Sequence, residues 1–168
     1  MTTENRDHRD QVGLTVWSLL LRTHAALVPQ LNRDLERQGH LPLAWYDVLL
    51  ELNAAPERRL RMQDLGARVV LSRSRASRVV DELTAAGLAC REPDSADRRG
   101  SFAALTDAGR QALRAAAPVY LAGIADRFSA HLTDQELTAL REGLNRVLAV
   151  AQSEQTTGAT GDRRRTDS

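Results

Sequence analysis

Apolar side chains recur at helical spacing from Val12 to about Leu35, at Trp17, Leu20, Leu21, Leu27, Val28, Leu31 and Leu35, with His24 on the same stripe. The pattern predicts one long amphipathic helix. A small lobe alone cannot bury a helix of that length, so part of it is expected to meet a second subunit. Gln38-Gly39-His40 ends it, because glycine readily takes the left-handed conformation that closes a helix. Pro42 then suits the first turn of a second helix, where its missing N–H costs nothing. That helix carries Leu43, Tyr46, Leu49, Leu50 and Leu52 and stops before Pro56.

The next stretch is shorter in period and richer in charge. Glu57 to Arg61 reads as a short charged connection, and Met62 to about Val69 as a brief helix holding Leu65. Val69-Val70-Leu71 leads into a turn, after which Ser72 or Ser74 can cap a helix running to Ala86 with Val79, Val80 and Leu83 inward. Gly87 stops it. Two short helices joined by a tight turn, the second full of arginine, read as a helix-turn-helix.

Leu88–Arg91 and Ser101–Leu105 are strand candidates, and the polar segment Glu92–Gly100 joins them into a hairpin with a loop too long for a two-residue turn. Thr106 can cap a long helix from Asp107 to about His131, which Pro118 should kink or divide. Thr133-Asp134-Gln135-Glu136 is a capping box that opens a last helix with Leu137, Leu140, Leu144, Val147 and Leu148 on one side. From Gln152 the chain turns to Ser, Thr, Gly and charge, a composition that predicts disorder.

Composition adds little until its distribution is considered. The 168 residues are 42% hydrophobic and 4% aromatic with a formal net charge of +1, and every basic side chain other than the four histidines is arginine. Each such charge is a planar fork able to pair bidentately with phosphate or guanine. Between Arg58 and Val80 stand Arg58, Arg59, Arg61, Arg68, Arg73, Arg75 and Arg78 against the single acid Asp64. A nearly neutral chain that gathers its cations on one lobe would focus a polyanion there. In helix-turn-helix docking the N-terminal residues of the second helix reach base edges. That makes Ser72, Arg73, Ser74, Arg75, Ser77 and Arg78 candidate contacts with double-stranded DNA.

Other chemistry has no foothold. His8, His24, His40 and His131 are scattered without metal-ligand spacing, the glycines form no phosphate loop, and no nucleophile sits in a recognisable constellation. Neither an enzyme nor a cofactor or metal site is expected. Cys90 alone excludes an intramolecular disulfide. The charged opening residues lack the apolar core of a signal peptide, and no apolar run approaches the roughly 18 residues needed to span a bilayer. A cytoplasmic protein with no membrane partner is expected.

Spacing and order from Leu41 to Gly109 resemble the multiple-antibiotic-resistance regulator (MarR) family of winged helix-turn-helix proteins. The landmarks are Tyr46-Asp47-Val48-Leu49, Leu65-Gly66, Leu71-Ser72-Arg73-Ser74, Ser77 through Leu83, Gly87-Leu88, Asp97-Arg98-Arg99 and Leu105 through Gly109. The resemblance implies a mainly α homodimer, a winged helix-turn-helix with a two-strand wing and long N- and C-terminal dimerisation helices. Its parts would be a flexible N-terminus (1–10), a dimerisation helix (11–40), a DNA-binding lobe (41–105), C-terminal dimerisation helices (106–151) and a disordered tail (152–168). It further implies recognition helices in successive major grooves of a palindromic operator, with half-sites about 10 base pairs apart. Arg99 at the wing tip, held by Asp97 and beside Arg98, would reach into the minor groove, where the negative potential is enhanced. A local Asp97–Arg99 salt bridge that only shapes the loop is the simpler alternative for that pair, and the two are compatible.

Relatives of this kind commonly repress their own and neighbouring genes and leave the operator when a small, often aromatic, acid binds between the lobes. Trp17, Arg22 and His24 on the first helix and Trp45 and Tyr46 on the second are the candidate effector residues, a flat pocket with one cation. Core packing competes for Tyr46 and His24, and an interface anchor for Trp17. Trp45 departs from the polar residue usual at its position. Two other readings stand beside this one: a winged helix that binds protein, and a redox-responsive regulator in which Arg91 activates Cys90, which otherwise reads as a small apolar filler.

Overall fold

The computed structural model describes residues 3–94 and 100–161. Helix α1 spans Thr3–Arg37. It therefore begins inside the segment expected to be flexible, which contains neither glycine nor proline and whose acids suit the positive end of a helix dipole. Its C-terminal part joins the core through Leu31 and Leu35, while Val12, Leu14, Val16, Trp17, Leu19, Leu20 and Leu21 are all exposed. A bilayer span needs roughly 18 apolar residues. No uninterrupted apolar run is that long, yet an 18-residue window within Asp7–Arg37 averages a hydropathy of 1.2, enough by length and composition to cross a membrane. Averaging across an amphipathic helix hides the polar positions that interrupt each run.

Gly39 closes α1 with φ of +71°, as its position predicted. Helix α2, Leu43–Ala54, follows Pro42, which offers no side-chain cap. The missing acceptor comes from α1, where Asn32 Oδ1 takes the Leu43 N–H at 2.9 Å. A first-turn donor of one helix thus ties it to the other.

A third strand was not anticipated. Strand β1, Arg59–Arg61, pairs antiparallel with β3, Ser101–Leu105, which also pairs antiparallel with β2, Ala89–Pro93. The sheet order is β1-β3-β2, so the wing has three strands rather than two. Leu60 faces the core opposite Ala103 while Arg59 and Arg61 flank it on the other side. Three residues give too short a window for alternation to stand out from a charged loop.

Helix α3, Met62–Arg68, and helix α4, Arg73–Ala85, form the helix-turn-helix at the expected place. Ala76, Val79, Val80 and Leu83 make the buried stripe of α4. They meet Val48, Leu49 and Leu52 of α2, Leu65 of α3 and Ala103 of β3 in one apolar core. Helix α5, Asp107–Arg127, starts from Thr106, whose Oγ1 accepts the Gly109 N–H at 3.0 Å and donates to Gly87 O at 2.8 Å. A Cβ on Gly109 would stand 2.0 Å from Leu88 O, so only glycine lets this helix approach the loop after α4. Pro118 lies inside α5 without ending it. The helix stops at Arg127, and Ser129–His131 is a separate turn of 3-10 helix.

The chain divides into two compact units between Ile124 and Ala125. In the second, helix α6 spans Asp134–Gly161 and opens on the expected capping box, with Glu136 N–H donating to Thr133 Oγ1 at 3.3 Å and Thr133 N–H to Glu136 Oε2 at 2.8 Å. It continues past Gln152, where disorder was expected. The sequence there has no glycine before Gly158 and no proline, and Ala151, Gln152, Glu154 and Gln155 are tolerant helix formers. Along α6, Leu140, Leu144, Val147, Leu148 and Val150 are exposed.

Candidate nucleic-acid interface

The start of α4 is built by its own sequence. Ser72 takes the extended backbone of an N-cap and its Oγ accepts the Arg75 N–H at 3.3 Å, while Ser74 Oγ lies 3.3 Å from Ser72 Oγ. The preceding turn is held from α2, since Val70 N–H donates to Asp47 Oδ2 at 3.2 Å. Gly66 of α3 leaves room for the stem of Arg73, whose Cγ would be 3.3 Å from a Cβ placed there.

Ser72, Arg73, Ser74, Arg75 and Arg78 are exposed, and Ser77 is half-buried. Among the described residues, no ion pair or hydrogen bond engages the guanidinium of Arg73, Arg75 or Arg78. Other arginines of the basic stretch are differently employed. Arg59 pairs with Glu57 and with Glu92 (3.3 Å), and Arg61 pairs with the buried Asp94 at 2.8 Å. Both guanidinium groups lie over the Phe102 ring, at 5.0 and 5.6 Å from its centroid. The hydrogen bond that Arg59 donates to Glu92, then the charge of Glu57 and the hydrogen bond donated to it, raise the Arg59 pKa further. The local charge counted from sequence thus overstates what is free: Arg59 and Arg61 fasten β1 to the root of the wing.

Arg73, Arg75 and Arg78 stand at one end of one helix, beside the Ser72 and Ser74 hydroxyls. Planar donors so arranged can pair with phosphate oxygens or with the O6/N7 edge of guanine. Asp97, Arg98 and Arg99 lie outside the described residues. The strands that lead to them close through Asp94 N–H donating to Gly100 O at 3.2 Å.

The candidate effector residues are not gathered in one place. Trp17, Arg22 and His24 are exposed along α1. Tyr46 is buried, its ring 4.6 Å from that of Tyr120 on α5, and burial raises its pKa first, with the Tyr120 charge second. Trp45 is half-buried and its Nε1–H donates to Glu82 Oε2 of α4 at 2.9 Å. The redox alternative loses the neighbour it invoked. Cys90 is half-buried opposite Ala104, while the Arg91 guanidinium is turned to Asp81 (2.9 Å) and Ser77 (3.0 Å).

Two acids escaped the sequence reading. Asp47 and Glu51, one turn apart on α2, both have raised pKa values, in each case chiefly because burial disfavours the charge. The Val70 N–H opposes this at Asp47, and Arg68 opposes it at Glu51, where the Asp47 charge adds to the rise. Carboxylates at i and i+4 within an otherwise apolar helix were the available signal. No group of three or more His, Cys, Asp or Glu suited to a metal occurs among the described residues.

Residues 41–100 match the MarR family profile. The chain is 34% identical to Sco3205 of Streptomyces coelicolor, a MarR family transcriptional regulator solved in complex with DNA, over 80% of this chain and 84% of that one, with a TM-score of 0.72. It is 31% identical to AbsC, a MarR family transcriptional regulator of the same organism, over 83% of this chain and 94% of that one, again with a TM-score of 0.72. An uncharacterized helix-turn-helix transcriptional regulator of Bacillus subtilis, YkoM, is 26% identical over 124 residues, which are 74% of this chain and 79% of that protein.

Proposed function

The chain belongs to the MarR family of transcriptional regulators, and from that premise we propose that it binds a palindromic DNA operator as a cytoplasmic homodimer and represses its own and neighbouring genes. The observation that carries the reading is the set Arg73, Arg75 and Arg78, exposed at the start of α4 and engaged by no acid among the described residues. Structural arginines find carboxylates in this protein, as Arg59, Arg61, Arg91 and Arg110 do. Cations left without such partners on the face of a helix-turn-helix are suited to phosphates and base edges. Arg99, with Asp97 and Arg98, is assigned to the minor groove on the resemblance.

Dimerisation accounts for the apolar face of α1, where Trp17 is 57% and Leu14 66% exposed. A partner helix explains that face better than a bilayer does, because Arg22 and His24 stand within it. Release by a small aromatic acid is the finer part of the reading. Trp45 and Tyr46 belong to the lobe, and Trp17, Arg22 and His24 to the helix that a partner would meet. Full effector release retained by Trp45→Ala and His24→Ala proteins would remove this pocket assignment.

The test of DNA binding is its salt dependence. Fluorescence anisotropy with a labelled duplex should give log affinity falling steeply and linearly with log salt, by about 0.9 for each phosphate neutralised. A flat dependence, or no binding at moderate salt, would favour the protein-binding winged helix instead.

A further inference from the structure

Helix α4 is gripped from both flanks of its buried stripe. With 3.6 residues per turn, Ser77 and Asp81 lie on one side of the line through Ala76, Val79, Val80 and Leu83, and Glu82 lies on the other. On the first side stands Arg91, the third residue of β2. Its Nε donates to Asp81 Oδ1 at 2.9 Å, its Nη2 to Ser77 Oγ at 3.0 Å and to Ser77 O at 3.4 Å, and its Nη1 reaches Ser101 Oγ of β3 at 3.5 Å. Trp45 of α2 holds the second side through Glu82. Apolar side chains alone would leave α4 freer to roll about its axis, because methyl contacts have no directional preference. Hydrogen bonds from two other elements do have one.

We infer that Arg91 is a positioning residue for sequence reading: it locks the rotation of α4 against the wing sheet, with Trp45 as the opposing stop, so that Arg75 and Arg78 meet base edges in one register. The inference rests on the DNA-binding function proposed above. It also reassigns Ser77, expected among the DNA contacts, whose hydroxyl oxygen faces the wing and accepts from Arg91. The Arg91–Asp81 pair is partly exposed, with side-chain exposures of 31% and 62%, and such pairs contribute little to stability. Its loss should therefore change which DNA is bound far more than whether the protein folds.

The experiment compares affinity for the duplex that the wild-type protein selects from a random pool with affinity for unselected random duplex. Arg91→Lys keeps the charge but loses the planar fork that reaches three acceptor residues. We expect the selected-to-random ratio to fall by roughly ten-fold, with random-duplex affinity and thermal midpoint close to wild type. Exchanging the pair, Asp81→Arg with Arg91→Asp, should recover part of the ratio that either change alone removes. Trp45→Phe, which keeps an aromatic ring but deletes the N–H, should lower the ratio from the other flank. A wild-type ratio in Arg91→Lys would overturn the inference, and so would a ratio that falls only in step with the thermal midpoint without recovery in the exchange. Wild-type protein that selects no sequence at all would instead refute the operator reading, and this inference with it.

Discussion

Single atoms decide several properties of this lobe. Gly109 is the sharpest case, since a methyl group there would collide with Leu88 O at 2.0 Å and with Leu105 Cδ1 at 2.9 Å. Gly109→Ala should destabilise the protein by about 2–4 kcal/mol, read as a lower midpoint in chemical denaturation, because backbone rather than a flexible side chain must yield. At the DNA-facing end, Arg75→Ala or Arg78→Ala should weaken specific binding by about 1–3 kcal/mol if the side chain is bidentate to guanine, and should relax preference at one base pair. Equal, purely salt-like losses from both would argue against base readout. Asp47 yields a pH prediction. Its pKa is raised in the folded state by burial, so the folded form holds more protons between the unfolded and folded values. Stability from this group is greatest below its unfolded value and falls as pH rises through the folded one. Asp47→Asn keeps an oxygen for the Val70 N–H and removes the buried charge. Its thermal midpoint should exceed wild type at neutral pH, and the advantage should vanish in acid.

At the scale of elements, capping and termination signals were the most legible parts of the sequence. Ser72, Gly39, Thr106 and the Thr133–Glu136 box all sit where their chemistry placed them, because each satisfies helix-end groups from within a few residues. Ser72→Ala should cost about 1 kcal/mol, measurable by denaturation, through loss of the bond from Arg75 N–H. What the sequence concealed was non-local. Strand β1 exists because β3 offers it an edge, and the employment of Arg59 and Arg61 depends on Glu92, Asp94 and Phe102, some thirty to forty residues away. Within the window Glu57–Arg61 only the Glu57 partner of Arg59 was local; nothing there shows that Arg61 is bound for a carboxylate rather than for phosphate. The same holds for Trp45, whose indole N–H finds Glu82 only after α2 packs on α4.

For the whole molecule, the single chain leaves unusual apolar surface. Val12, Leu14, Val16, Trp17, Leu19, Leu20 and Leu21 of α1 are each at least 40% exposed, and Leu144, Val147, Leu148 and Val150 of α6 at least 39%. Exposed apolar area on this scale is what the proposed dimer would cover. Leu20→Glu should shift sedimentation from dimer to monomer and, because a palindrome needs two lobes, abolish specific DNA binding while leaving the lobe folded. The long stripe on α1 was plain in the sequence; the identity of what covers it was not, since periodicity shows that a face is apolar without showing its partner. In the proposed dimer, two copies of the α4 arginines read one palindrome. The direct test is selection of bound duplexes from a random pool by the purified protein, followed by sequencing. Enrichment of an inverted repeat with half-site centres about 10 base pairs apart would be the predicted result. Enrichment of nothing, or of an isolated half-site bound by one subunit, would contradict it.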